Sequence, residues 1–188
     1  MSSLSLLSRR HVLLGLSVGL PLIASQAQAA SAAKISRDAR AALNALYASH
    51  PKAAEYGRQA KAVLVFPEIV KAGAMIGGET GSGAMLEPTR VTGFYNISAA
   101  SFGLQLGAQK FGYALFFMND KAVDYLRKSD GWSVGSGPSV VVVDQGFAKS
   151  TNTTTLTEDV YAIAFNQRGL MAGAGLEGSK ITPIHPDP

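Results

Sequence analysis

The chain reads as an α+β domain: a curved antiparallel β-sheet, or a barrel-like meander, of six or more strands with two N-terminal helices packed on it. Three observations support this. Apolar side chains recur with helical period over residues 34–49. From residue 61 the pattern changes to short apolar runs separated by tight turns, and three glycine pairs, Gly73/Gly77, Gly103/Gly107 and Gly169/Gly173, interrupt those runs. On a strand, residues four apart share a face, so each pair removes two side chains in line and lets a backbone approach or the sheet bend. A membrane helix built on Gly-x-x-x-Gly needs about 20 unbroken apolar residues. Here charged or amide side chains, among them Lys71, Glu79, Gln105, Lys110, Arg168 and Glu177, stand beside every pair.

In the first helix, Ile35, Ala39, Ala42, Leu43, Leu46 and Tyr47 fall on one arc, and Lys34, Arg37, Arg40 and Asn44 on the other. Ser36 is the N-cap this pattern suggests, and Pro51 stops the run and opens a shorter helix over residues 51–60. Residues 62–66 form an apolar strand closed by Pro67, and 74–79 and 83–86 flank glycine-rich 77–83 as a hairpin. Further strands are expected over 91–97, 101–109 and 113–118. Asn119 caps a helix over 120–128 with Ala122, Val123 and Leu126 inward. Residues 139–143 read as a four-valine core strand ending at Asp144, and 159–165 and 170–176 as the last strands, joined by polar 150–157.

The 188 residues fit one domain, expected over 30–182, with a helical arm at 34–60 and strands over 61–182; a proline-rich tail at 183–188 is expected to be flexible. Residues 1–29 read as a cleavable signal peptide. Arg9 and Arg10 precede an apolar stretch over 12–24, and Ala27-Gln28-Ala29 offers the small residues at which cleavage near Ala29/Ala30 is expected. Ser8-Arg9-Arg10-His11-Val12-Leu13 fits a twin-arginine signal, with the general secretory route as the alternative. The expected location is the periplasm, with a peripheral position at a membrane left open. Without cysteine the chain has no disulfide, thiolate metal site, cysteine nucleophile or lipidated cysteine.

Charge is unevenly spread. Residues 30–61 carry Lys34, Arg37, Arg40, Lys52, Arg58 and Lys61 against Asp38 and Glu55, whereas 62–188 hold nine basic and eleven acidic side chains. A basic face opposite an apolar one suits an anionic membrane surface. The alanines make the apolar face shallow, which fits a helix docked on a sheet; direct insertion in lipid is the alternative.

Catalytic motifs are weak. Gly131-Trp132-Ser133-Val134-Gly135 matches the hydrolase pattern Gly-x-Ser-x-Gly, with Asp144 or Asp159 and then His185 in order. A polar turn precedes the serine and a strand follows, where a nucleophile elbow needs strand then helix; glycines shaping a loop around Trp132 account for the match better. Residues 77–83 look like a phosphate loop but lack its Lys-Ser/Thr ending and a following helix pattern. His50 and His185 stand far apart, so no metal site is expected, and nothing calls for a cofactor. Nucleic acid is not an expected partner, because the arm's charge forms no long basic stripe. An outer-membrane barrel would need longer apolar strands with aromatic girdles.

Longer motifs carry a resemblance. Lys61-Ala-Val-Leu-Val-Phe-Pro67, Lys71-Ala-Gly-Ala-Met-Ile-Gly-Gly78, Tyr95-Asn96, Ser101-Phe-Gly-Leu-Gln-Leu-Gly-Ala-Gln109 and Phe111-Gly-Tyr-Ala-Leu-Phe-Phe-Met118 come first. Gly137-Pro-Ser-Val-Val-Val-Val-Asp144, Asp159-Val-Tyr161, Gly169-Leu-Met-Ala-Gly-Ala-Gly-Leu-Glu-Gly-Ser179 and Lys180-Ile181 follow. In order and spacing they resemble the SYLF domain, the lipid- and actin-binding domain shared with yeast actin regulators, over roughly residues 35–182. The resemblance implies binding without catalysis. Eukaryotic members bind phosphoinositides, partly through a basic amphipathic N-terminal helix, and some bind or bundle actin; bacterial members are exported, with lipids as expected ligands. For this chain it implies a module that contacts anionic phospholipid or a membrane surface through Lys34, Arg37, Arg40, Arg58 and Lys61. Actin is out of place for an exported protein. The alternative is a structural or protein-binding envelope module, including a homo-oligomer.

Overall fold

The computed structural model describes residues 31–74, 76–102, 107–143, 156–169, 176 and 178–188. The signal peptide expected at 1–29, Gly103, Gly173, the expected strand at 170–176 apart from Leu176, and most of the 150–157 linker lie outside the described residues.

Two helices open the domain, α1 (Ala32–Ser49) and α2 (Pro51–Gln59). The strands β1 (Ala62–Ala74), β2 (Ile76–Leu86), β3 (Val91–Phe102) and β4 (Gly107–Phe117) follow, then helix α3 (Asp120–Lys128). Four shorter or later strands complete the fold: β5 (Trp132–Ser133), β6 (Val140–Val143), β7 (Val160–Gly169) and β8 (Lys180–Ile184). The described strands form one curled sheet in the order β5-β8-β3-β2-β1-β4-β7-β6, antiparallel except for the β6–β7 pair, with the N-terminal helices packed on it. The predicted α+β class holds.

Both faces of the sheet are covered, because consecutive residues of the central strands, which point to opposite faces, are apolar. Ala62, Leu64 and Phe66 of β1 join Tyr113, Leu115 and Phe117 of β4 on one face, closed by α3 and Trp132. Val63 and Val65, with Ala114 and Phe116, point to the opposite face, where α1 and α2 pack. Helix α1 buries Ile35, Ala39, Leu43 and Leu46, the arc read from its sequence. Its N-cap is Ser31, whose hydroxyl accepts the Lys34 N–H at 3.3 Å, and not Ser36, whose hydroxyl instead donates to the Ala32 carbonyl within the helix. In α3, Asn119 accepts the Ala122 N–H at 2.9 Å, as expected.

Several strand boundaries differ from the sequence reading, for related reasons. β1 does not stop at Pro67; it continues to Ala74 through a bulge, with the register shifting between Phe66 and Ile69 against β4. A bulge is where a central strand tolerates proline, which has no N–H to give the ladder. The neighbouring β2 passes the bulge with Gly81 and Gly83. A Cβ on Gly83 would stand 2.4 Å from the Val65 carbonyl oxygen, and one on Gly81 2.6 Å from that of Glu68. Residues 77–83 are therefore neither a hairpin loop nor a phosphate loop but part of one strand, and β1 and β2 pair as a hairpin out to Ala74 and Ile76. Gly73 and Gly77 consequently face each other across that hairpin, with Gly107 beside Gly73 on β4. The three strands expected over 91–118 are two long ones.

Two further corrections concern the C-terminal part. The four valines form an edge strand, not a core one: Val141 and Val142 are 39% and 45% exposed, and only Val143 is buried. Pro183 and Ile184, placed in the tail from sequence, pair with Tyr95 and Phe94 of β3, and the Asp187 carbonyl accepts the Ala32 N–H at 2.8 Å.

Candidate functional site

The residues proposed from sequence for headgroup contact divide into three groups. Docking of the apolar arc turns Lys34, Arg37 and Arg40 outward, and all three are exposed. Lys34 and Arg37 converge on Asp38, at 2.5 and 3.1 Å. The Lys34 hydrogen bond is the main reason the Asp38 carboxyl lies below its ordinary range, with the Arg37 contact adding to it. These two cations are partly neutralised, and their ion pairs are solvent-screened. Arg58 is exposed in the last turn of α2, where a cation complements the carbonyl end of the helix.

Arg40 and Lys61 belong to a different environment. They line one cleft of about 310 Å³ between α1, the junction of α2 with β1, and the end of β2. Leu43, Val63 and Leu86, all buried, form its apolar floor. Asn44 and Tyr47 of α1 stand beside Arg40 on its wall. Tyr47 fits there because α2 carries Gly57: a Cβ on that glycine would meet the Tyr47 hydroxyl at 2.1 Å. The one acid on the lining, Glu87, is already engaged by Arg127 and, at 3.3 Å, by Arg90. Burial raises its carboxyl pKa, but the two arginine contacts outweigh burial and leave it lowered. Among the described residues no ion pair involves Arg40 or Lys61.

Lys52 contributes nothing outward, although it counts toward the basic arm in sequence. It is buried at 1% exposure and bonded to Glu55 at 3.0 Å. Sequence reasoning missed Tyr47, Gly57 and Glu87 as parts of the cleft. Asn44 was legible, since it shares the polar arc with Arg40; Glu87 was not, because it approaches from a strand end more than forty residues away.

A larger cleft of about 740 Å³ lies between α3 and the loop before β6, lined by Lys121, Tyr125, Lys128, Pro138 and Asp159 among others. Ser133, the candidate nucleophile, sits on the two-residue β5, which leads into a turn and not a helix, so the frame of a nucleophile elbow is missing there. Trp132 organises that turn: it is buried, meets Phe117 edge-on at 6.0 Å, and donates its indole N–H to the Ser136 carbonyl at 2.8 Å. Among the described residues no helix is long and apolar enough to cross a membrane, and no three His, Asp or Glu side chains form a group able to hold a metal.

Comparison with known proteins adds one finding. Residues 98–185 match the family model described as Ysc84, Las17-binding protein actin regulator. No curated protein matches the chain. The matched stretch runs from the end of β3 to just beyond β8 and does not reach the Arg40–Lys61 cleft. The SYLF resemblance read from the motifs and this match agree over residues 98–185, the stretch that matches the model of the Ysc84 (SYLF) domain family, a family of lipid- and actin-binding domains.

Proposed function

We propose that the protein is an exported, non-catalytic lipid-binding module that contacts anionic phospholipid headgroups through the basic face of α1 and the adjoining Arg58 and Lys61. The observation that carries the reading is the orientation of α1. With Ile35, Ala39, Leu43 and Leu46 committed to the sheet, the helix has its cations, and not its apolar arc, to offer a membrane. Contact is then peripheral and electrostatic. Each cation near an anionic surface adds about 1 kcal/mol, so Lys34, Arg37 and Arg40 less Asp38 amount to roughly 2 kcal/mol before Arg58 and Lys61 are counted.

A variant carrying Lys34→Ala, Arg37→Ala and Arg40→Ala tests this directly, since all three side chains are exposed and the fold does not depend on them. It should keep its thermal melt and lose its preference for anionic over neutral vesicles. Undiminished preference in a folded triple variant would remove α1 from the binding surface.

A second reading, a structural module that associates with itself or another protein, draws on β6. Among the described residues this strand has a neighbour on one side only, and it exposes Val141 and Val142, the kind of edge on which another strand can add. A mass in solution above that of one chain, with no response to vesicles, would favour it.

A further inference from the structure

We infer that the Arg40–Lys61 cleft is a discrete site for one phosphate ester, the glycerophosphate end of a single phospholipid, and not merely one stretch of a diffuse basic surface. This rests on the lipid-binding reading above and narrows it to one place. Three features of the cleft point the same way.

The first is charge. Among the described residues Lys34 and Arg37 share Asp38, and Arg90 and Arg127 hold Glu87, while Arg58, which forms no ion pair, is not on the lining. Arg40 and Lys61 form no ion pair there yet line the same small cleft, so two like charges face one space and an anion entering it would be attracted by both. The second is the donor set. A guanidinium fork, an ammonium, the Asn44 amide and the Tyr47 hydroxyl together suit the several acceptor oxygens of a phosphate better than a single carboxylate. The third is polarity. Leu43, Val63 and Leu86 make the floor apolar, which a free inorganic phosphate would not use and a glycerol ester with its first acyl carbons would.

The source of the ester, lipid or soluble metabolite, is separated by the choice of probe. Dihexanoyl phosphatidylglycerol below its micelle concentration and inorganic phosphate are each titrated into the ¹⁵N-labelled protein, with amide shifts read at Asn44, Tyr47, Gly57 and Lys61. The expected result is saturable one-site binding of the lipid probe at those amides, with inorganic phosphate binding more weakly at the same place. Arg40→Ala with Lys61→Ala should weaken the probe at least about tenfold, and Lys34→Ala with Arg37→Ala by no more than about threefold. Gly57→Ala, which leaves every charge in place but displaces Tyr47, should also weaken it.

Equal loss in the two double variants, or shifts that map away from the cleft while anionic vesicles still bind, would overturn the discrete site and leave the lipid-binding reading standing. Inorganic phosphate binding as tightly as the lipid probe would overturn the lipid identity of the ester. Binding of neither the probe nor anionic vesicles would overturn both the site and the reading on which it rests.

Discussion

Asp159 shows how much one surface carboxylate can hold. It accepts the Asn119 side-chain amide at 2.8 Å and the Ser139 N–H at 3.0 Å, and its own N–H donates to the Ser139 hydroxyl at 3.0 Å, joining the cap of α3, the entry to β6 and the start of β7. The Ser139 backbone bond, followed by the Asn119 bond, holds its carboxyl below the ordinary 3.8, against a smaller opposing effect of burial. A depressed carboxylate pKa stabilises the fold above the unfolded value, and the contribution is lost as pH falls through the folded value. Asp159→Asn should therefore lower stability at pH 7, by about 1 kcal/mol because the group is partly solvated, and the difference from the wild type should narrow progressively in melts taken as pH falls below the ordinary 3.8. A gap that does not narrow at all on acidification would mean that the carboxylate charge is not what holds the junction. Asp38 and Glu87 are depressed as well, so only the comparison with the variant isolates Asp159.

The elements were legible where one side chain pattern decides the structure. The 3.6 period of α1 and the cap of α3 needed no knowledge of neighbours. What misled was the meaning of glycine and proline. Pro67 reads as a strand end, and Gly77, Gly78, Gly81 and Gly83 as a loop, because the local rules for both residues favour turns. In the structure they answer one another across two strands: the bulge at Pro67 pushes the Val65 and Glu68 carbonyls toward β2, and β2 has no side chains at Gly81 and Gly83 to obstruct them. That relation is not local and could not be read from either segment alone. Gly83→Ala should accordingly destabilise the domain by about 1–3 kcal/mol, measured by chemical denaturation, since its Cβ would meet backbone and the Phe66 ring, not a flexible side-chain tip. A neutral substitution there would contradict the packing assigned to the bulge. The valines of β6 failed for the opposite reason: four apolar residues look like core, but the strand order leaves them at an edge.

For the molecule as a whole, the sheet uses one face for an aromatic-rich core and the other to seat α1 and α2, so the apolar face of the amphipathic helix is spent inside the fold. The candidate site was legible in part. Its cations were named from the arc of α1 and the start of β1, but the separation of Arg40 and Lys61 from Lys34 and Arg37 depends on where α1 lies against the ends of β1 and β2. Since membrane contact is assigned to charge and not to an inserted apolar face, it must respond to lipid charge and to salt together. Co-sedimentation of the purified protein with vesicles of increasing anionic fraction, repeated as ionic strength is raised, measures both. Pelleting should rise with the anionic fraction and fall as the screening length shortens from about 10 Å at 0.1 M salt toward about 3 Å at 1 M. Equal pelleting with neutral vesicles, or none with either kind, would contradict it.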